Sequence, residues 1–203
     1  MSEEFVRINI AFMPPVEIAE KVAQISYEIG AKEESYFVID RKNFHPHITI
    51  YGFEFPARNL ENVLAEIEIL SKKLSSAKFV FKKVTTEEGY IGIECDNTEE
   101  IKHIHETTIK ALNPWREGHI RDKDKNMKSS EKNLNVQEYG HPRVMDSYCP
   151  HMTIIRLKDD EVAEKIATEI QWTDNAFVLD RIGAFRMGPN GTCVELIREF
   201  KLG

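Results

Sequence analysis

The chain is poor in cysteine. Its three, Cys95, Cys149 and Cys193, are scattered and form no C-x-x-C pair. That argues against a disulfide framework or a cysteine-built zinc site and fits a reducing compartment. Positive charge is not in excess either: 27 Lys and Arg stand against 34 Asp and Glu, for a formal net charge of -7. A surface that coats DNA without regard to sequence is therefore not expected, while a local basic pocket for a small anion is still compatible with the balance. No apolar run approaches the length of a membrane-spanning helix. The first residues, Met-Ser-Glu-Glu, carry neither the basic nor the apolar region of a secretory signal. These absences lead to the expectation of a cytoplasmic monomer with no membrane partner. What is present is ordinary globular material: 41% hydrophobic and 30% charged over 203 residues, enough for one large domain or two small lobes with a core.

One string occurs twice. Phe44-His45-Pro46-His47-Ile48-Thr49-Ile50 returns about half a chain later as Tyr148-Cys149-Pro150-His151-Met152-Thr153-Ile154. Pro, His, Thr and the final Ile match in place, and the polar mismatch is His45 against Cys149. A single His-x-Thr recurs by chance. Two in one Pro-flanked frame point to internal duplication and to one site built from two halves. Each Pro pushes the residue before it towards extended geometry, so it leads into a strand. Strand side chains alternate, which puts His47, Thr49 and Tyr51 on one face and Ile48, Ile50 and Gly52 on the other. In the second copy His151, Thr153 and Ile155 share a face, and Arg156 falls off it. The His-x-Thr spacing thus sets an imidazole and a hydroxyl side by side, ~6–7 Å apart along the chain, within reach of one small anion.

Around these strings the pattern is regular. Alternation predicts a strand over 5–12. Ile18, Val22, Ile25 and Ile29 predict a helix over 16–29, stopped by Gly30. Short strands are expected over 36–39 and 47–53, a helix over 60–74, strands over 79–84 and 90–95 about a Glu-Glu-Gly turn, and a helix over 98–112. The second motif strand, 151–157, leads to a helix over 161–170 and strands over 177–186 and 192–200. The order of elements around each motif is the same, so the duplication extends beyond the heptad. Residues 115–145 break the pattern and read as a flexible loop or lid, least regular at Met127-Lys128-Ser129-Ser130-Glu131-Lys132.

The two strings Pro46-His47-Ile48-Thr49-Ile50 and Pro150-His151-Met152-Thr153-Ile154, each on a strand of an αβ repeat, resemble the 2H phosphoesterase superfamily. That group includes the 2′-5′ RNA ligase-like and cyclic phosphodiesterase proteins. The resemblance implies an α+β fold: a single bilobal, duplicated domain over 1–203, with two antiparallel sheets flanking a central cleft and helices on the outside. It implies a hydrolase that uses no metal or other cofactor and acts on a 2′,3′-cyclic phosphodiester of a nucleotide or RNA end. His47 and His151 would be its acid–base pair, and Thr49 and Thr153 its phosphate holders. Imidazole suits both proton transfers because its unperturbed pKa lies near neutrality. Hydroxyls suit the non-bridging oxygens on which charge builds. Two other readings stay open: 2′-5′ ligation of RNA ends at the same site, and a nucleotide- or RNA-binding protein with little turnover.

Further candidates surround the quartet. Tyr51 is placed to stack on a base, with packing at the rim as the alternative. Tyr148, Phe44 and Phe185 line either the site or the core. Arg7, Arg143 and Arg156 are candidate phosphate ligands; Arg7 and Asn9 share a strand face that, by analogy with the family, borders the cleft. His45 and His47 with Cys149 and His151 form a conceivable metal set, but no acidic cluster accompanies them and no metal is expected. His103 and His105, two apart on a helix, point in different directions and read as solvated.

Overall fold

The computed structural model describes residues 4–125 and 131–203. Most of the Met127–Lys132 string, expected to be the least regular, therefore lies outside the described residues. In chain order the elements are β1 (Phe5–Phe12), α1 (Val16–Gly30), β2 (Ser35–Val38), β3 (Ile48–Pro56), α2 (Leu60–Ser71), β4 (Ala77–Glu87) and β5 (Tyr90–Cys95). They continue with α3 (Glu99–Leu112), α4 (Glu131–Tyr139), β6 (His151–Leu157), α5 (Asp160–Glu169), β7 (Ala176–Leu179), β8 (Arg181–Met187) and β9 (Cys193–Lys201).

Local chemistry fixes the ends. Pro15 stands at the N-cap of α1. Thr98 Oγ1 accepts the Ile101 N–H at the start of α3, and Asp159 Oδ1 accepts the Glu161 and Val162 N–H groups at the start of α5; each cap satisfies donors a helix start leaves open. The β4–β5 hairpin turns through Glu88 (φ 49°) and Gly89 (φ 78°), the left-handed pair that a two-residue turn needs. Only glycine fits the second position, because a Cβ there would stand 2.4 Å from the Leu157 carbonyl oxygen.

The strands form one curled antiparallel sheet in the order β7-β4-β5-β6-β3-β1-β8-β9, with β2 also on β6. Its two halves meet at the motif strands β3 and β6, which share one residue pair, Ile48 with Met152. Each half draws on both repeats. β4 follows the first motif yet pairs with β5 and β7 in the second half; β8 follows the second motif yet pairs with β1 in the first. This exchange splits the strand expected over 177–186. β7 ends on the outer edge of one half, and the chain crosses at Asp180 to begin β8 in the other.

One face of the sheet carries the core. Ile8, Ile10 and Phe12 of β1, Phe53 and Phe55 of β3, and Ile91 and Ile93 of β5 have at most 1% exposure and pack with Val22, Leu64, Ile67, Ile101 and Ile109 from the helices. Each such side chain contributes ~1.5–3 kcal/mol by leaving water. The residues between them along the strands face the other way, and the candidate site lies there.

The segment over 115–145 is more regular than its composition predicts. Among its described residues are α4 and short 3-10 turns at Asp122–Asp124 and Met145–Ser147. The segment is anchored by Arg116, 2% exposed, whose guanidinium donates to the carbonyls of Glu138 and His119. α4 escapes a periodicity test because it has little apolar stripe: Val136 is buried while Leu134 is 70% exposed.

Candidate active site

Each motif histidine is set up by its own approach. Before the first, Asp40 Oδ1 accepts the backbone N–H groups of Lys42, Asn43 and Phe44. Burial works to raise this carboxyl's pKa, but the donors outweigh it and hold it at about 2. The His45 N–H then donates to the Cys193 carbonyl at 2.9 Å, tying the loop to β9. Before the second, the Cys95 N–H donates to the Pro150 carbonyl. The outcome is the same in both copies: His47 Nδ1 donates to the His45 carbonyl and His151 Nδ1 to the Cys149 carbonyl, each at 2.8 Å. A carbonyl only accepts, so each Nδ1 carries a hydrogen and, in the neutral ring, each Nε2 keeps a lone pair.

The Ile48–Met152 pair brings the copies together. Both residues are fully buried on the core side, so the residues flanking them, His47, Thr49, His151 and Thr153, lie on the opposite face. In that antiparallel register His47 stands across from Thr153, and Thr49 across from His151. All four are half-buried. The residues beside the threonines are small: Ala11 pairs with Thr49 and Gly92 with Thr153. The quartet expected from the sequence is thus one cluster with a small residue paired to each threonine.

The strands do not keep strict alternation. Between β1 and β3, Ile10 pairs with Tyr51 but Ala11 pairs with Thr49, leaving Ile50 as an extra residue. Between β5 and β6, Ile91 pairs with Ile155 but Gly92 pairs with Thr153, leaving Ile154 extra. A bulge therefore follows the Thr in both copies and reverses the faces beyond it. This corrects two expectations. Tyr51 leaves the face of the quartet, is fully buried and stacks on Phe53 at 4.5 Å, and its hydroxyl donates to the Tyr139 carbonyl at 2.6 Å. Arg156 joins the face of Thr153, sits over the rings of Tyr36 and Tyr90, and donates to Asn190 Oδ1 at 2.8 Å.

The bulge in β3 also explains two other residues. Tyr148 donates its hydroxyl to the Thr49 carbonyl at 2.8 Å, and His105 donates Nδ1–H to the Ile50 carbonyl at 2.6 Å. The two rings stack at 3.6 Å. His105, read from the sequence as solvated, is instead fully buried, and its Nε2 accepts the Met145 N–H at 3.0 Å. Tyr148 is a core residue beneath the site, not a wall of it.

The remaining candidates separate. Asn9 is fully buried, and its Nδ2 donates to Thr49 Oγ1 at 2.9 Å and lies 3.5 Å from Cys193 Sγ. Burial raises the Cys193 thiol to about 12, so it is present as SH. Arg7 shares Asn9's face. Arg143 is exposed and paired with Glu87. Sequence reasoning passed over Glu94, the cross-strand neighbour of His151, which is paired with Lys82 and Lys83. Phe185 flanks both His45 and His47, with ring centroids 5.5 and 6.5 Å away. Among the described residues no group of His, Cys, Asp and Glu is arranged to hold a metal ion.

Electrostatically the first histidine is held neutral. Burial draws the His47 pKa down from the ordinary imidazole value to about 4; the Nδ1 bond to the His45 carbonyl opposes this, and the nearby His151 and His45 rings add to it. At neutral pH His47 therefore offers an unprotonated Nε2.

The family model described as the 2′-5′ RNA ligase superfamily matches residues 14–188. Among solved structures, the fold is similar to TT0787 of Thermus thermophilus, at 13% identity and a TM-score of 0.61 over 97% of each chain. It is similar to E. coli LigT in apo form, at 11% identity and a TM-score of 0.61 over 99% of each chain. A third, a phosphoesterase, has 11% identity and a TM-score of 0.58 over 98% of this chain and 99% of that one. At such identities the likeness is one of fold. None of the curated proteins compared matches the chain.

Proposed function

Because the chain belongs to the 2′-5′ RNA ligase superfamily, we propose that it hydrolyses a 2′,3′-cyclic phosphodiester of a nucleotide or RNA end by paired-histidine acid–base catalysis, without a metal. The observation that carries this reading is the His-x-Thr quartet on one sheet face, across a single antiparallel pair, with both Nδ1 atoms tied to backbone and neither Nε2 bonded among the described residues.

In this reading the phosphorus lies between the imidazoles. His47 Nε2, kept neutral, takes a proton from water as its oxygen attacks phosphorus. His151, protonated at Nε2, gives a proton to the ribose oxygen as its bond to phosphorus breaks, and a phosphomonoester is left. The Thr49 and Thr153 hydroxyls donate to the non-bridging oxygens, where charge accumulates. Each proton transfer contributes roughly 10²–10⁴-fold in rate. The partner is a nucleotide or an RNA terminus, and the enzyme acts as a monomer.

The deciding experiment is turnover of 2′,3′-cyclic nucleotides with a chelator present, the position of the product phosphate being read by phosphorus NMR. His47→Ala and His151→Ala are each expected to remove nearly all turnover while the circular dichroism spectrum is retained. Near-wild-type turnover in either variant refutes the assignment. Joining of split RNA halves through a 2′-5′ bond would favour the reverse reaction at the same site. Binding of nucleotide without turnover would leave a binding protein.

A further inference from the structure

Beyond Asn9 the site face of β1 runs outwards through Arg7 to Phe5. A cavity of about 620 Å³ opens there, lined by Phe5, Arg7, Glu54, His119, Arg121, Asp122 and Lys125. It lies next to the quartet: Asn9 bonds Thr49, and Arg7 is two residues further along the strand, roughly 7 Å by the strand rise.

Two basic groups around the cavity are already matched. Arg121 pairs with Asp124 and Lys125 with Asp122. Glu54 is cross-strand from Arg7 and favours its charge; its Oε1 also lies 3.3 Å from His119 Nε2, and the His119 ring stacks on Phe5 at 3.8 Å. Arg7 makes no hydrogen bond or ion pair among the described residues, and its Nε, like His119 Nε2, is buried without a hydrogen-bond partner. Asn9 Oδ1, on the same face, is also buried without a donor. Polar atoms withdrawn from water and left unpaired are costly, and a ligand anion would supply the acceptor Arg7 lacks. The guanidinium fork matches the paired oxygens of a phosphate.

We propose that this cavity is a second-phosphate subsite, in which Arg7 receives a ligand phosphate remote from the phosphorus that reacts. The subsite rests on the reading above, that the reacting phosphorus lies between His47 and His151. The second phosphate is either a 5′-phosphate on a nucleotide or the internucleotide phosphate of an oligonucleotide.

Titration calorimetry of the full chain tests it with three ligands: adenosine 3′-phosphate, adenosine 3′,5′-bisphosphate, and the dinucleotide ApA carrying a 3′-phosphate. The protein is used as wild type and as Arg7→Met, which keeps the apolar stem and removes the charge. At least one two-phosphate ligand is expected to bind about tenfold more tightly than adenosine 3′-phosphate, and that gain is expected to vanish in Arg7→Met. A gain for the bisphosphate alone assigns the subsite to a 5′-phosphate; a gain for the dinucleotide assigns it to an internucleotide phosphate. Equal affinities in the wild type, no binding of any of the three at millimolar concentration, or a gain that survives in Arg7→Met overturns the proposal. If Arg7→Met does not fold, Arg7→Gln takes its place with the same expected loss of the gain, and equal affinities in the wild type overturn the proposal without any variant. Turnover of adenosine 2′,3′-cyclic phosphate by the same preparations separates the two ideas. No turnover with the Arg7-dependent gain intact refutes the reaction alone, and turnover without the gain refutes the subsite alone.

Discussion

Asn9 Nδ2 donates to Thr49 Oγ1 at 2.9 Å from a side chain with no exposed surface. A hydroxyl that accepts this bond keeps its own hydrogen for another acceptor. In the proposed reaction Thr49 would then donate to a phosphate oxygen, with Asn9 as a positioning residue. Among the described residues no side-chain amide stands in the same relation to Thr153, whose neighbour on β5 is Gly92. The two threonines match in sequence but not in preparation.

The first expected outcome follows. In Asn9→Asp the carboxylate only accepts, so it draws the Thr49 hydrogen away from the phosphate and places a negative charge nearby. The loss of one such donor is typically worth ~10²–10³-fold in turnover, and kcat is expected to fall by about that factor. Asn9→Ala, which frees the hydroxyl without reversing it, is expected to lose less. Steady-state kinetics on a 2′,3′-cyclic nucleotide measures both. Equal kcat in the two variants would show that Asn9 acts only by packing.

His47 leads to a pH profile. A general base must be unprotonated, and burial holds this one at about 4. The acid limb of kcat/KM, which reports the free enzyme, is therefore expected near pH 4, with activity lost below it and a plateau on that side through pH 6. A bound phosphoester anion favours the charged imidazole, so the limb of kcat is expected at a higher pH than that of kcat/KM. A kcat/KM limb at pH 6.5 would remove His47 from the role of base.

Tyr51 separates core from cleft. Its ring is stacked in the core and its hydroxyl satisfies the Tyr139 carbonyl. Tyr51→Phe leaves that buried carbonyl short of a donor, a loss of ~1–2 kcal/mol. Urea denaturation is expected to register this, with KM for nucleotides within twofold of the wild type. A large rise in KM at unchanged stability would return Tyr51 to the site.

The bulges mark how far the sequence could be read. The quartet was legible because it rests on local alternation over three residues and on repetition. The reversal beyond each Thr was also written in the chain, as the apolar doublets Ile50-Tyr51 and Ile154-Ile155, which strict alternation forbids; heeding them would have moved Tyr51 to the core and Arg156 to the site. The split between β7 and β8 had no such mark, because it depends on pairing with β4 and β1, far away in the chain. The burial of His105 was hidden for the same reason. Its partner is a carbonyl at a bulge in another element, and spacing along α3 cannot report that.

His105 gives the last expected outcome. Its Nδ1–H donates to Ile50 and its Nε2 accepts from Met145, so the neutral ring satisfies both contacts and a second ring hydrogen would oppose an N–H. Burial, against the pull of the Ile50 carbonyl, lowers its pKa to about 4. The unfolded imidazole takes up a proton below about pH 6.5. Between these values the unfolded state binds more protons, so stability is complete above pH 6.5 and is lost as pH falls towards 4, by up to roughly 3 kcal/mol for this group. His47 shares the window, so the comparison belongs in a His47→Ala background. There, His105→Gln keeps one donor and one acceptor but cannot titrate. Burial also lowers the His45 pKa in both proteins, so urea midpoints at pH 7, 6 and 5 are expected to decline in the His47→Ala parent and to decline less steeply when His105→Gln is added. A decline of the same steepness in both would mean that His105 is not the buried neutral ring linking β3 to the approach of the second motif.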